Sequence, residues 1–223
     1  MDLAVVTSVW GDHSRFLGQW ADSILDQTHK PTQAVIADLG ATWQDLVHRA
    51  AERLTTAGID ARVETSAFTG MGAARNTAVA ATTTEWVMHL DADDVLLPYS
   101  LADVATLSDH ADVVSLGALI GNQSRCFPEI TAEQILNHRH GCYSCSPFRR
   151  TLWEQRPWHT RNDFIDSTLW VGFAHLGARF TGTTRPGFIY RQHEGSFSHT
   201  LTPVQRRIAA HQWLTACREW TLT

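Results

Sequence analysis

Four cysteines in 223 residues, Cys126, Cys142, Cys145 and Cys217, are too few and too unevenly placed for a disulfide framework, so thiols are expected. No apolar run approaches the length that crosses a bilayer, and Asp2 followed by only a short apolar stretch before Gly11 is unlike a secretory signal. No basic run exceeds the pairs beginning at Arg149 and Arg206, and 18 basic against 23 acidic residues leave a formal charge of -5. That balance lacks the electrostatic footprint of a duplex nucleic-acid binder and favours a small partner. No linker, repeat or low-complexity segment divides the chain. These absences together predict one soluble, cytoplasmic domain over residues 1–223 with no membrane span.

What is present is a 43% hydrophobic chain in which strand-like and helix-like patterns alternate. Residues 3–9 (LAVVTSV) form a β-branched run, and Leu17, Trp20, Ile24 and Thr28 follow at helical spacing before Pro31. A second strand, AVIAD (34–38), precedes a helix expected to start at Thr42 as N-cap, with Trp43, Leu46, Val47, Ala50 and Leu54 on its apolar face. Residues 61–66 read as a third strand, 70–82 as a glycine-opened helix and 86–90 as a fourth strand. Further on, the pattern predicts a helix from near Ser100, a strand at 112–119, a helix capped by Thr131 with Gln134, and a strand at 143–148. A helix over 165–175 stopped by Gly177, two short strand-like runs and a last helix entered through Thr202 and Pro203 complete the chain. The alternation predicts an α/β fold, a mostly parallel sheet flanked by helices, with its ligand site at the strand C-termini.

Two stretches fall at that edge. WVMHLDADDVLLP (86–98) runs out of apolar residues on Asp91, Asp93 and Asp94, hard oxygen ligands that suit Mg²⁺ or Mn²⁺. A purely structural alternative is an acidic turn in which Asp94 or Ser100 caps the next helix. GMGAARN (70–76) offers two glycines that let backbone approach a ligand and places Arg75 near a helix N-terminus, a seat for a diphosphate.

With these blocks in order, the chain resembles the inverting, GT-A-fold (Rossmann-like) glycosyltransferases of family 2, from VVTSVWGDHSRFLGQW through GMGAARNTAVAATTTEWVMHLDADD to FIDSTLW and YRQHEGSFS. The resemblance implies a nucleotide-binding half (1–97), an acceptor-side half (98–200) and a C-terminal helix (201–223). It implies that Asp38 contacts the nucleotide base, that Arg75 and Asn76 face the nucleotide sugar, and that Asp93 binds the metal. Asp91 is then expected at the ribose or in the metal shell, Asp94 toward the transferred sugar, and Asp166 as general base, with Asp163 a rival three residues earlier. His193 matches a histidine that completes the metal shell, and Arg191 with Ser196 to Ser198 are expected at phosphate. The implied cofactor is Mn²⁺ or Mg²⁺. The implied partners are a nucleotide-sugar donor, with a UDP-sugar expected, and a hydroxyl acceptor on a glycan, protein or small molecule.

The chain departs from the family pattern in three places. Asp38-Leu39-Gly40-Ala41 keeps only the first acid of an Asp-Asp-Gly-Ser block, Ile165 stands where a Glu is usual, and the Gln-x-x-Arg-Trp block of processive synthases is absent, which favours single-sugar addition. A separate cluster, His138, His140, Cys142 and Cys145, has zinc-like spacing, although a strand there would turn Cys145 to the opposite face. Trp153, Trp158 and Trp170 fall near the expected acceptor region, Trp170 as core, and Val204, Ile208, Trp213, Leu214 and Cys217 are expected to dock the last helix on the domain. Two other classes remain consistent with these residues: a nucleotidyltransferase, which also pairs aspartates with a glycine-rich loop, and a degenerate, non-catalytic nucleotide-sugar or glycan binding module.

Overall fold

The computed structural model describes residues 1–137, 141–160 and 165–193, together with separate residues between 202 and 218. Strand β1 (Leu3–Gly11) is central, with β2 (Gln33–Ala41) and β4 (Trp86–His89) parallel on either side and β3 (Asp60–Thr65) parallel to β2. The short β8 (Phe148–Arg149) runs antiparallel between β4 and β6 (Val113–Ile120), and β9 (Phe180–Tyr190) pairs parallel with β6. Strand β5 (Val95–Leu96) lies antiparallel on β9, and β7 (Gln123–Arg125) forms a hairpin with β6. Because β8 opposes both neighbours, β4 and β6 point the same way, so β1, β2, β3, β4, β6 and β9 deliver their C-terminal ends to one edge.

Burial on both faces explains the unbroken apolar strands. In β1, Leu3, Val5 and Val9 enter one core with Trp20 and Ile24 of α1 (Leu17–Leu25) and Val47 and Leu54 of α2 (Gln44–Thr56). Ala4 and Val6 enter the other, with Ala74 and Ala78 of α3 (Met71–Ala80), Phe148, Trp158, and Trp170 and Phe173 of α7 (Ile165–His175). Each large side chain so buried contributes about 1.5–3 kcal/mol. The remaining helices are α4 (Ser100–Leu107), α5 (Ala132–Leu136) and α6 (Arg150–Gln155).

Several expectations are corrected. Thr42 is not the N-cap of α2: its N–H bonds Gly11 O at 2.9 Å, tying it to the end of β1, so the helix starts after Trp43, which is exposed rather than part of the apolar face. The segment expected as a strand from 143 to 148 is a turn closed by Ser146 N–H to Tyr143 O at 3.0 Å, and only Phe148–Arg149 is extended. The two short late strands are one, β9, whose register against β6 shifts between Ser115 and Ala118. Val204, Ile208 and Leu214 are exposed, against the expected docking of the last helix, while Trp213 and Cys217 lie outside the described residues. Among the described residues no helix is long and apolar enough to cross a membrane.

Candidate active site

The acidic turn begins where β4 ends. Leu90 is held from both sides, its N–H bonding Val6 O at 2.9 Å and its carbonyl accepting from Trp20 Nε1 at 3.2 Å, and Asp94 N–H closes a turn on Asp91 O at 3.0 Å. Neither Asp94 nor Ser100 caps the next helix. The N-cap of α4 is Tyr99, without a side-chain bond, and Ser100 Oγ donates to the carbonyls of Leu97 and Gly187. Helix capping therefore does not account for the acids.

Arg75, projecting from α3, is the hub. Its Nη2 meets Asp91 Oδ1 at 3.0 Å and its Nη1 is ion-paired with Asp166 Oδ1, so one buried guanidinium joins the turn after β4 to the start of α7. Burial alone works against the charge on Arg75, but Asp166 and Asp91 outweigh it and hold the guanidinium firmly protonated. Burial likewise pushes Asp91 upward, and Arg75, with a 2.8 Å hydrogen bond from Ser144 Oγ, reverses this and leaves its carboxyl below the usual range. Beneath them His89, 1% exposed, lies with Nε2 3.2 Å from Ser8 Oγ and Nδ1 3.6 Å from Asp91. Burial first, then the charge of Arg75, pushes His89 down to about 3, so it is neutral at physiological pH.

A second group of contacts joins the same turn to the end of β9. His193 Nε2 lies 2.9 Å from Asp93 Oδ2, Arg191 Nε donates to Asp93 O, and Arg191 N–H donates to Asp94 Oδ1 at 3.0 Å. Arg191 also reaches Gln19 Oε1 and lies 5.0 Å over the ring of Phe16, which itself packs 5.1 Å from His193. Asp94, expected toward the transferred sugar, is 2% exposed, and burial together with Asp91 pushes its carboxyl well above the usual range. A carboxylate and an imidazole side by side form a donor set that suits Mn²⁺. Among the described residues no group of three or more His, Cys, Asp or Glu converges, so a cation held by Asp93 and His193 would draw its other ligands from substrate oxygens and water.

Other expected residues have different partners. Asp38 is buried, and its Oδ1 accepts from the N–H groups of Gly40 and Ala41 at 3.1 and 2.8 Å, shaping the turn after β2. Asn76 does not point its amide into open space: Nδ2 donates to Trp158 O at 2.9 Å, and Oδ1 accepts from Trp158 N–H at 3.0 Å and Trp153 Nε1 at 2.8 Å. Gly72 admits protein backbone rather than a ligand, because a Cβ there would overlap His159 O. Cys142 and Cys145 are buried thiols, Cys142 pushed up to about 12 by burial, whereas the zinc partners His138 and His140 lie outside the described residues, as do Asp163, Ser196 and Ser198. Ser144, His89 and Gln19 are site residues that sequence reasoning missed, whereas Trp158, expected near the acceptor region, instead bonds Asp166 through its indole N–H. Only Ser144, polar between two buried cysteines, carried a local signal.

Comparison with known proteins agrees with this architecture. Residues 5–178 match the family model described as glycosyl transferase family 2. A sequence relative, an uncharacterized glycosyltransferase of Nostoc sp., is 33% identical over 118 residues, a match spanning 52% of this chain and 35% of that protein. Among solved structures, S. aureus TarS 1-349 in complex with UDP-GlcNAc superposes with a TM-score of 0.74 at 20% identity, covering 95% of this chain and 66% of that one. The mannosyltransferase PcManGT from Pyrobaculum calidifontis, in complex with GDP-Man and Mn²⁺, gives 0.72 at 19% identity, covering 97% and 64%. At those identities the structural likeness speaks for the GT-A fold alone, and this chain spans only part of each relative. The family match, which takes in most of β1, the Arg75 helix, the aspartate turn and α7, carries the conclusion: the chain belongs to glycosyl transferase family 2.

Proposed function

We propose that this chain is an inverting, metal-dependent glycosyltransferase that moves a single sugar from a nucleoside diphosphate sugar, with a UDP-sugar as the expected donor, to a hydroxyl acceptor. The observation that carries the reading is the Arg75 bridge, which holds Asp166 of α7 and Asp91 of the acidic turn against one guanidinium. A candidate base and a candidate donor-binding end thereby share one wall. The UDP-GlcNAc, GDP-Man and Mn²⁺ bound by the structural relatives support the donor and cofactor classes.

In the reaction the acceptor oxygen bonds the anomeric carbon opposite the leaving group, its proton passes to Asp166, and the bond to the diphosphate breaks with its electron pair leaving on the nucleoside diphosphate. Arg75 and Trp158 both contact Asp166 through Oδ1, so Oδ2 is the oxygen assigned to the proton. A divalent cation, when bound, supplies neutralisation of charge on the leaving diphosphate. Asp93 and His193 would hold it, with Asp91 at the ribose or in the metal shell and paired with Arg75. Arg191, whose Nη2 is buried without a hydrogen bond among the described residues, faces phosphate, and Asp38 orders the turn at the base.

The test is direct. UDP with Mn²⁺ is expected to raise the melting temperature of the wild type and not of Asp93→Ala, and equal shifts in both would remove the metal assignment. UDP release from UDP-GlcNAc, or GDP release from GDP-mannose, is expected to fall about 10²–10⁴-fold in Asp166→Asn. Pyrophosphate release from a nucleoside triphosphate would point to nucleotidyl transfer instead.

A further inference from the structure

Trp158 is an unusual core tryptophan. It is 1% exposed, its ring packing edge-on against Phe148 (centroids 5.6 Å) and His89 (5.9 Å), yet its one polar side-chain atom points into the candidate site, Nε1 donating to Asp166 Oδ1 at 3.1 Å. Its backbone is gripped on both sides by one side chain, since Asn76 accepts from Trp158 N–H and donates to Trp158 O. The next carbonyl, His159 O, lies against α3 at Gly72, where a side chain would collide with it. Arg75, one residue before Asn76, holds the same oxygen of Asp166 that the indole holds, and its guanidinium carbon stands 5.9 Å from the Trp158 ring.

Helix α3 therefore fixes Asp166 twice, directly through Arg75 and indirectly through Asn76 and Trp158. An indole suits this role because it carries a single donor and no acceptor, and so fills one carboxylate oxygen without competing for a proton. It is also rigid and, in this chain, clamped at backbone and ring, so the carboxylate it bonds loses rotational freedom. Two donors on Oδ1 leave the other oxygen as the basic one.

We infer that Trp158 is a positioning residue, locked by Asn76, that holds Asp166 Oδ1 so that Oδ2 receives the acceptor proton. The inference rests on the reading of Asp166 as base and deepens it. It also gives Asn76 a part different from contact with the nucleotide sugar.

Two measurements test it. In protein labelled with ¹⁵N at indole nitrogen, the Trp158 Nε1–H resonance, assigned by its loss in Trp158→Phe, is expected to move in Asp166→Asn and in Asn76→Ala. An unmoved resonance in Asp166→Asn overturns the hydrogen bond and the proposal. In turnover of UDP-GlcNAc or GDP-mannose with water as acceptor, Trp158→Phe is expected to lower kcat about tenfold with donor KM unchanged, the scale of a mispositioned reacting group. Asn76→Ala, which keeps the indole and tests the clamp, is expected to lower kcat severalfold. Trp158→Phe combined with Asp166→Asn is expected to be no slower than Asp166→Asn alone, because the tryptophan acts only through the carboxylate. Full kcat in Trp158→Phe beside an inactive Asp166→Asn would sink the positioning role while leaving the base assignment standing. Unchanged turnover in Asp166→Asn would sink both.

Discussion

His89 is buried beside the opposite charges of Arg75 and Asp91, and burial together with Arg75 disfavours its protonated form. Its folded value of about 3 lies below the ordinary 6.5, so as pH falls between those values the unfolded chain binds a proton there that the folded chain refuses. Stability attributable to His89 is full above about pH 6.5 and drains away on acidification at up to about 1.4 kcal/mol per pH unit. Denaturant titrations at pH 7 and pH 4.5 are expected to show a steeper loss in the wild type than in His89→Asn, which has no titrating ring. Parallel losses would mean that the acid sensitivity has a source other than His89, since Asp91, with its depressed carboxyl, loses stabilisation only below about pH 4. At this scale a residue's type was readable and its company was not. Asp91, Asp93 and Asp94 stand within four positions, yet one meets Arg75, one His193 and one the N–H of Arg191. Those differences arise from chain segments that arrive from far away, and no local pattern encodes them.

At the scale of the element, α3 does more than its small, weakly patterned sequence suggests. Within GMGAARN, at the start of one short helix, stand a close approach at Gly72, a doubly paired arginine, Arg75, and a clamping asparagine, Asn76. Gly72→Ala is expected to displace the backbone at His159 and Thr160 and to cost about 1–3 kcal/mol, the usual penalty for overpacking. A melting temperature lower than wild type, with reduced turnover, is the expected result; unchanged stability would mean that the 158–160 segment has other places to sit. Where an element's ends depend on neighbouring residues alone, the sequence was sufficient. Thr131 and Gln134 form the reciprocal capping box expected of them, and α7 spans 165–175 and stops at Gly177 with φ 79°. Thr42 failed as a cap for the opposite reason, because its backbone is claimed by β1.

Across the whole molecule, the neighbouring strands β8, β6 and β9 are joined by charge as well as by strand pairing. Asp112, just before β6, accepts from Arg149 Nε of β8 at 3.1 Å and from the N–H, Nε and Nη2 of Arg179, which precedes β9, each at 2.9 Å. Hydrogen bonds from Arg179 are the main reason the Asp112 carboxyl lies below its usual range, so its contribution is present above about pH 4 and is lost as pH falls below that. Asp112→Asn is expected to lower stability by about 1–3 kcal/mol at pH 7 and by less at pH 3, read from denaturant midpoints. An equal effect at both values would show that geometry rather than charge is at stake.

The sequence by itself determined the α/β class, the order of units and the edge at which the acids stand, because alternation of strand and helix and apolar periodicity are properties of contiguous residues. Family membership was legible for the same reason, since its blocks lie in fixed order along the chain. Only the tertiary structure decided which carboxylate meets which cation, that Asn76 grips Trp158 across 82 positions, and that Arg191 reaches the turn at Asp93 across 98. A carboxylate's chemistry depends on the donors within about 3 Å of it, and in this fold those donors are delivered by strands and helices that packing, not proximity in sequence, brings to the same edge.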